Sequence, residues 1–280
     1  MEQQQSQDQI KQQMAALSWY HTIDLGQGLV TPGHYDHRPF LPWYGLPRSL
    51  AGKTALDVGP ASGFFSFEME QRGATVTAID LPSWESHDFG PRYTPDMDAA
   101  AAEHYLHSPF LFAKQVLHSK AERRELNVYD LSPQSLGSFD FVFCGSVLLH
   151  LSDPIRALWR IASVTREVAI IATVIRNAPD SEPLAAFVGH QRGDCWWYPN
   201  RLALEMMVQA AGFQGWEWFS DFALDYGDGS PGPYHGVVRA WKTPEKPAWL
   251  ADIEPLPVHT APPVAPRPQP SWWRRLLGGW

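Results

Sequence analysis

The chain has 280 residues, of which 44% are hydrophobic and 19% charged, so it can bury a core and is not disordered or collagen-like in composition. Its formal net charge of −8 argues against a general attraction to nucleic acid. Two cysteines are too few for a disulfide framework, and the first residues do not form a signal peptide. No apolar run approaches the roughly 20 residues of a membrane-spanning helix, so we expect a reduced, cytoplasmic protein.

The two ends of the chain differ in composition from its middle. Residues 1–13 include seven glutamines and few apolar side chains, which predicts a disordered N-terminus. Residues 243–270 are rich in proline, which predicts an extended linker. The last ten residues, 271–280, read SWWRRLLGGW and are either a short anchor for peripheral contact with a membrane or a disordered end.

Between these ends, short apolar runs alternate with helical stretches, which is typical of a parallel sheet flanked by helices. Strands are predicted at 54–58, 75–79, 126–129, 139–144, 168–174 and 237–241. Helices are predicted at 63–72, 154–163 and 201–211. The stretch 82–125 interrupts this alternation, and we interpret it as an insertion. The first two strands and the helix between them form a β-α-β unit.

The turn between the first strand and its helix, in LDVGPASGFFSFEM, has small residues at Gly59, Ala61 and Gly63. Small residues let a ligand lie against the backbone, and Asp80, which ends the second strand, can bind both hydroxyls of a ribose. Nicotinamide cofactors and S-adenosyl-L-methionine (SAM) share this pattern. Asp57 favours SAM, because a carboxylate can meet its cationic amino acid end. A nicotinamide oxidoreductase and an ordinary strand-to-helix bend are the alternatives.

Over about residues 50–242 the sequence resembles the class I SAM-dependent methyltransferases, through DVGPASG and the later VLLHLSDP. The resemblance implies a doubly wound α/β fold with a mostly parallel, seven-stranded sheet, and SAM as cofactor. Pro60 and Ala61 depart from the usual glycine motif without removing the turn. By this resemblance, the residues around the cofactor would be Asp57, Gly59, Ala61, Gly63, Asp80, Leu81, Tyr129, Asp130, Cys144 and Gly145.

A narrower resemblance lies upstream, in WYHTIDLGQGLVTPG from Trp19, joined to SLAGKTALDVG. These segments are similar to bacterial methyltransferases related to the wobble-uridine tRNA enzyme, which transfers a carboxymethyl group from carboxy-SAM. The resemblance implies that residues 14–49 cover the SAM pocket as a lid. The cationic residues for the extra carboxylate have no match, since no lysine lies between Lys11 and Lys53, so we expect SAM itself and methyl transfer.

Methyl transfer to a hydroxyl needs close alignment of acceptor and sulfonium, and a base that takes the proton. His150 follows the fourth predicted strand, where this fold brings the acceptor near the methyl group, so it is a candidate base. A helix-capping role is its alternative. Asp24 or His34, in an upstream cluster of histidine and aspartate, can serve instead. No pair in that cluster has the spacing of a known metal site, so we predict no metal.

The acceptor side is predicted from aromatic residues. Trp196, Trp197 and Tyr198 precede a helix and either stack on a sugar or aromatic acceptor or close the core. His21 and Tyr35 are further candidate substrate contacts. The sequence thus predicts a methyltransferase that acts on a hydroxyl of a small molecule or glycan, with tRNA and a non-catalytic SAM-binding scaffold as alternatives. It does not define an oligomeric state.

Overall fold

The computed structural model describes residues 6–91, 93, 98–189, 193–250 and 253. Its helices are α1 (Gln7–Ala15), α2 (Phe64–Gln71), α3 (Ala99–Val116), α4 (Pro133–Leu136), α5 (Pro154–Val164) and α6 (Arg201–Ala210). Its strands are β1 (Thr54–Val58), β2 (Thr75–Asp80), β3 (Glu122–Glu125), β4 (Phe139–Gly145), β5 (Thr165–Val174), β6 (Ala185–Phe187), β7 (Trp197–Pro199), β8 (Gly215–Asp225) and β9 (Pro231–Trp241). The predicted tail 271–280 and most of the predicted linker lie outside the described residues.

Seven strands form one sheet, in the order β3-β2-β1-β4-β5-β9-β8. Strands β1 to β5 pair in parallel, and β9 runs antiparallel between β5 and β8. This arrangement confirms the predicted doubly wound, mostly parallel seven-stranded sheet. The chain order of the strands reverses between β1 and β4, and open α/β sheets bind ligands outside the carboxyl ends of the strands at such a point.

The third strand lies earlier in the chain than predicted. The prediction of a strand at 126–129 is wrong, because Glu122–Glu125 forms β3 and Val128–Asp130 forms a single 3-10 turn. The side chain of Asn127 caps that turn by accepting a hydrogen bond from the Tyr129 N–H at 2.9 Å. Since α3 and β3 both fall within 82–125, that stretch continues the alternation of helix and strand instead of interrupting it.

The edge strand β8 was not predicted, because polar residues break its apolar pattern. Ser220 and Asp221 lie inside it and are buried, with exposures of 0% and 3%. The hydroxyl of Ser220 donates to the Trp43 carbonyl, and Asp221 accepts hydrogen bonds from Trp218 and Tyr234. Such buried polar groups are tolerated only where partners exist, and here they come from the segment around Trp43, from β8 itself and from the neighbouring strand β9.

Apolar residues cover both faces of the sheet. One cluster joins the aromatic residues of α2, parts of α3 and much of the segment 19–50 to the sheet. The other cluster joins α5 and α6 to the opposite face. Full burial of one large apolar side chain contributes roughly 1.5–3 kcal/mol. The buried apolar residues of segment 19–50 therefore stabilise its packing against α2 and the sheet. Within the described residues, no helix combines the length and apolar character needed to cross a membrane.

Candidate active site

A cavity of about 290 Å³ opens at the carboxyl ends of the central strands. Residues from the turns after β1, β2, β3 and β4 line it, and the N-terminal segment together with the β8–β9 hairpin closes it. The segment is attached by the N–H of Gly227, which donates to the His34 carbonyl at 2.6 Å, and by a backbone bridge between Tyr35 and Tyr226. The fold therefore brings segments that are far apart in the sequence, around Tyr35 and Tyr226, to one pocket.

The turn after β1 has the geometry that its small residues predict. Gly59 has a φ of +74° and lines the cavity, and a Cβ at this position would collide with Val147. Ala61 also lines the cavity and has a left-handed φ of +46°. Gly63 lies outside the described lining and is the N-cap of α2. It has a φ of +95°, and a Cβ at this position would collide with Phe67. Two of the three predicted small residues therefore face the cavity.

The two predicted acids occupy different positions. Asp80 lines the cavity, and burial raises the pKa of its carboxyl to about 6, although Arg123 at 3.7 Å opposes that shift. Asp57 is 1% exposed, lies outside the described lining, and accepts a hydrogen bond from Ser66 Oγ at 2.6 Å. Burial raises the pKa of Asp57 to about 7. Asp57 therefore lies beneath the turn, and its contact with the cofactor stays a prediction.

The residues after β2 and β3 are placed slightly differently from the prediction. Leu81 lines the cavity as expected, whereas Asp130 is exposed and lies outside the described lining. Tyr129 also lies outside it, because its hydroxyl donates to Asp88 at 2.7 Å. The side chains that face the cavity after β3 come just before the 3-10 turn or begin it, and include Asn127. Tyr129 therefore contacts the lining residue Asp88 without lining the cavity itself.

The end of β4 contributes Gly145 to the cavity, as predicted, but not Cys144, which is fully buried in the sheet. Ser146 follows with a left-handed φ of +55° and also lines the cavity. Its Oγ lies 2.9 Å from Nε2 of His235, and Nδ1 of that ring lies 3.0 Å from the Pro233 carbonyl. Because a carbonyl only accepts, Nδ1 carries the proton and Ser146 donates to Nε2.

Of the three candidate bases, His150 is best placed. It lines the cavity, and its Nδ1 lies 2.5 Å from the backbone carbonyl of Asp194. His34 lines the cavity too, but burial lowers the pKa of its imidazole to about 3, which makes it a weak base at neutral pH. Asp24 lies outside the described lining, and its exposed carboxylate accepts from the Gly26 N–H at 2.8 Å, so its role as a base stays a prediction.

The aromatic residues near β7 separate into two groups. Tyr198 lines the cavity. Trp196 and Trp197 lie outside the described lining, because their indole N–H groups donate to the carbonyls of Asp88 at 2.6 Å and Ser152 at 3.1 Å. Both indoles therefore join neighbouring segments of the chain, and their stacking on an acceptor stays a prediction. The predicted contacts His21 and Tyr35 both line the cavity.

Several lining residues were not predicted from the sequence, because no motif surrounds them in the chain. Tyr20, Tyr105, Tyr226 and His235 come from four separate segments that only the fold unites. The indole Nε1 of Trp84, also in the lining, is buried without a hydrogen-bond partner among the described residues. None of the described lining residues is lysine or arginine, whereas three are aspartates, so the described wall lacks cationic side chains.

One cluster of side chains has the types of donor atom that bind metal ions. Donor atoms of His150, Asp194 and Cys195 lie within 4.8 Å of one another. In this arrangement the Nδ1 of His150 is engaged by the Asp194 carbonyl and must carry a proton, so that nitrogen is not free to coordinate a cation.

A model of the family described as Methyltransferase domain matches residues 38–217. The fold and the cavity define a class I methyltransferase, and the chain belongs to this methyltransferase family. The predicted class of enzyme and the predicted cofactor, SAM, are thereby confirmed.

The ubiquinone biosynthesis O-methyltransferase of Pseudomonas paraeruginosa is 33% identical to this chain over 138 residues, covering 48% of this chain and 50% of that protein. The chain therefore spans about half the length of the curated relatives it matches first. Because these relatives are named as ubiquinone O-methyltransferases, the narrower resemblance to wobble-uridine tRNA enzymes stays a prediction.

Solved structures show the same fold. The N-terminal domain of EvdMO1, with S-adenosylhomocysteine (SAH) bound, has a TM-score of 0.57 at 17% identity and covers 85% of this chain and 97% of that chain. An O-methyltransferase family protein from Burkholderia thailandensis has a TM-score of 0.51 at 15% identity and covers 74% of this chain and 56% of that chain. At these identities the likeness concerns the fold.

Proposed function

We propose that this protein transfers the methyl group of SAM to a hydroxyl of a small molecule or glycan, with His150 as the base. The observation that carries the proposal is the 2.5 Å hydrogen bond between Nδ1 of His150 and the backbone carbonyl of Asp194, at the cavity wall. A carbonyl can only accept, so Nδ1 donates to it, and Nε2 is the ring nitrogen left to accept a proton.

This fixed tautomer suits proton removal from an alcohol or phenol. The acceptor hydroxyl would donate to Nε2 of His150, and bound SAM would supply the methyl group that the oxygen accepts. The proton moves to Nε2, and the Asp194 carbonyl stabilises the resulting imidazolium through Nδ1–H. Phe89 lies edge-on to the imidazole, with ring centroids 6.5 Å apart.

Other lining residues support a SAM site in the same cavity. SAM supplies an activated methyl group on a sulfonium. We assign the ribose hydroxyls to Asp80 and the close backbone contact to Gly59 and Ala61, both of which line the cavity with positive φ angles. The indole N–H of Trp84, which has no hydrogen-bond partner among the described residues, offers a donor to the nucleoside. Three lining aspartates and no described lining cation also favour a cationic cofactor.

The acceptor class is inferred from the tyrosines that the N-terminal segment and the β8–β9 hairpin contribute to the cavity wall. Tyr20, Tyr35 and Tyr226 line this part of the cavity, and the rings of Tyr35 and Tyr226 stack with centroids 5.3 Å apart. Flat amphipathic rings bind sugar faces and aromatic rings at low entropic cost. The curated relatives named as ubiquinone biosynthesis O-methyltransferases support oxygen as the acceptor atom.

The first experiment is isothermal titration of the protein with SAM and SAH, beside Asp80→Ala. Micromolar binding that Asp80→Ala abolishes supports the cofactor site, and methyl transfer from radiolabelled SAM to a panel of phenols, alcohols and sugars then tests the reaction. Well-folded protein that binds neither nucleotide contradicts the proposal. Binding of SAM without transfer to any acceptor supports the scaffold alternative instead.

Transfer to wobble uridine of tRNA is the second candidate, because of the upstream resemblance from Trp19. A net charge of −8 and a described lining without lysine or arginine both disfavour phosphate binding. If tRNA is the acceptor, active enzyme should label bulk tRNA with a steep salt dependence. Cytoplasmic location and membrane contact through residues 271–280 stay predictions, and liposome flotation with and without the tail tests the latter.

A further inference from the structure

Two histidines at the cavity wall, His21 and His37, have no part in the methyl transfer described above. Both line the cavity, they are only 4% and 3% exposed, and their ring centroids are 4.9 Å apart. Both rings pack against the aromatic ring of Phe64, at 6.0 and 5.7 Å. They are therefore buried imidazoles that share one small apolar region of the pocket.

The tautomer of His37 follows from its neighbour Tyr44. Nδ1 of His37 lies 2.7 Å from the hydroxyl of Tyr44, which is 1% exposed. Burial raises the pKa of the Tyr44 phenol and lowers the pKa of His37, so both groups are neutral. Within the described chain the phenol has no second acceptor, and a buried O–H without an acceptor is costly. Tyr44 therefore donates to Nδ1, and the ring proton of His37 sits on Nε2.

That Nε2–H is buried without a hydrogen-bond partner among the described residues. Buried donors are satisfied in nearly all native structures, so an unpaired one in a cavity wall indicates a bound molecule that supplies the acceptor. His21 has the same tautomer, because its Nδ1 is 3.4 Å from the Phe64 N–H, which can only donate. Burial lowers the pKa of His21 to about 3, so it is a neutral donor as well.

The charge around these donors selects the kind of acceptor atom. The groups that act electrostatically on His37 are two other histidines, His21 and His235, and burial keeps both neutral. The described lining contains no lysine or arginine to balance an anion. Neutral N–H donors in an apolar setting suit an uncharged oxygen, because a carboxylate or phosphate would lose hydration without gaining a counter-charge.

We propose that His37, supported by His21, is a specificity-determining residue that donates from Nε2 to an uncharged oxygen, such as a carbonyl, on the methyl acceptor. The inference rests on the proposed function and adds to it. The acceptor carries a second oxygen besides the hydroxyl that is methylated. Tyr44 acts as a positioning residue, because it fixes the tautomer that turns His37 into a donor.

The test is calorimetric titration of the SAH-loaded full-length protein with two phenols of similar size. One is 4-hydroxyacetophenone, which has a carbonyl, and the other is 4-ethylphenol, which has none. The wild-type protein should bind the ketone about tenfold more tightly, as expected for one added hydrogen bond. His37→Phe keeps a buried ring without a donor and should bind both phenols equally, with unchanged SAH affinity. His104→Phe, at an exposed position of α3, should keep the preference.

Tyr44→Phe provides a second variant, which keeps the imidazole of His37 but removes the hydrogen bond that fixes its tautomer. It should reduce the preference for the ketone without abolishing it, and selective ¹⁵N labelling of histidine should show His37 leaving the pure Nε2–H form. This readout applies if His37→Phe fails to fold.

Equal affinity of the wild-type protein for both phenols, binding of neither, or a preference that survives in His37→Phe overturns the inference. Loss of SAH affinity in His37→Phe also overturns it, because the donor would then serve the cofactor carboxylate. None of these titrations needs methyl transfer, so failure of the proposed reaction is seen separately in the transfer assay.

Discussion

The phenol of Tyr129 donates a hydrogen bond of 2.7 Å to Oδ2 of Asp88, which joins the chain after β3 to the chain after β2. The same carboxylate oxygen accepts from the backbone N–H of Ser152 at 2.6 Å and from its hydroxyl at 2.7 Å. The indole of Trp196 donates to the Asp88 carbonyl at 2.6 Å. Asp88 thus joins the segment after β2 to three other segments, those of Tyr129, Ser152 and Trp196.

Tyr129→Phe should loosen this side of the cavity. Hydrogen bonds to charged groups contribute about 1.5–3 kcal/mol, so losing one should weaken SAM binding by up to about ten- to a hundredfold and speed amide exchange in residues 82–91. Titration calorimetry and hydrogen exchange measure the two effects. Tyr234→Phe is the matched control, since its hydroxyl bonds Asp221 outside the described lining. Equal exchange in residues 82–91 for wild type and Tyr129→Phe would contradict the fastening role.

His150→Gln should lower kcat for hydroxyl methylation by about 10²- to 10⁴-fold, because general base catalysis contributes that much. Its SAM affinity should stay unchanged, since the base contacts the acceptor. His104→Gln, on the exposed face of α3, should behave like the wild type. A kcat within threefold of the wild type in His150→Gln would exclude it as the base. Steady-state kinetics with the best acceptor of the panel provide the measurement.

SAM affinity should fall as the pH drops below about 6. The pKa of Asp80 is raised to about 6 by burial, so its carboxylate becomes protonated in that range and loses acceptor capacity for ribose hydroxyls. We expect up to about a tenfold loss per pH unit between pH 6 and 5, measured by calorimetry. Asp80→Asn should bind weakly with a flat profile. Exposed Asp130→Asn should keep the wild-type slope, and a wild-type slope in Asp80→Asn would refute the assignment.

Asp57→Asn should stabilise the protein increasingly as the pH rises from 4 to 8. The pKa of Asp57 rises from 3.8 to about 7 on burial, so its stabilising contribution is complete below 3.8 and is lost as the pH rises through 7. Asparagine retains an acceptor for Ser66 without that loss. The difference in unfolding free energy should grow by about 2–4 kcal/mol. Chemical denaturation at several pH values measures it, and a constant difference would disprove the shift.

Local patterns were sufficient for the first half of the sheet and its turn. The apolar runs of β1, β2 and β4 are short and nearly continuous, as buried parallel strands are, and small residues mark the bend after Val58. Asp80 and Gly145 were found because this fold places the ends of parallel strands at one edge. The charged edge strand β3 and the partly polar β8 have no such pattern, so the sequence misplaced the first and missed the second.

The sequence by itself determined the fold class, the cofactor turn and the histidine after β4, because periodicity and chain order encode them. The tertiary structure alone decided which side chains face the cavity. It turned Tyr129 and Trp196 onto Asp88, and it united Tyr20 with Tyr226 across more than two hundred residues. The reason is physical: a side chain's neighbours and protonation depend on contacts between distant segments, and those contacts exist only once the core has formed.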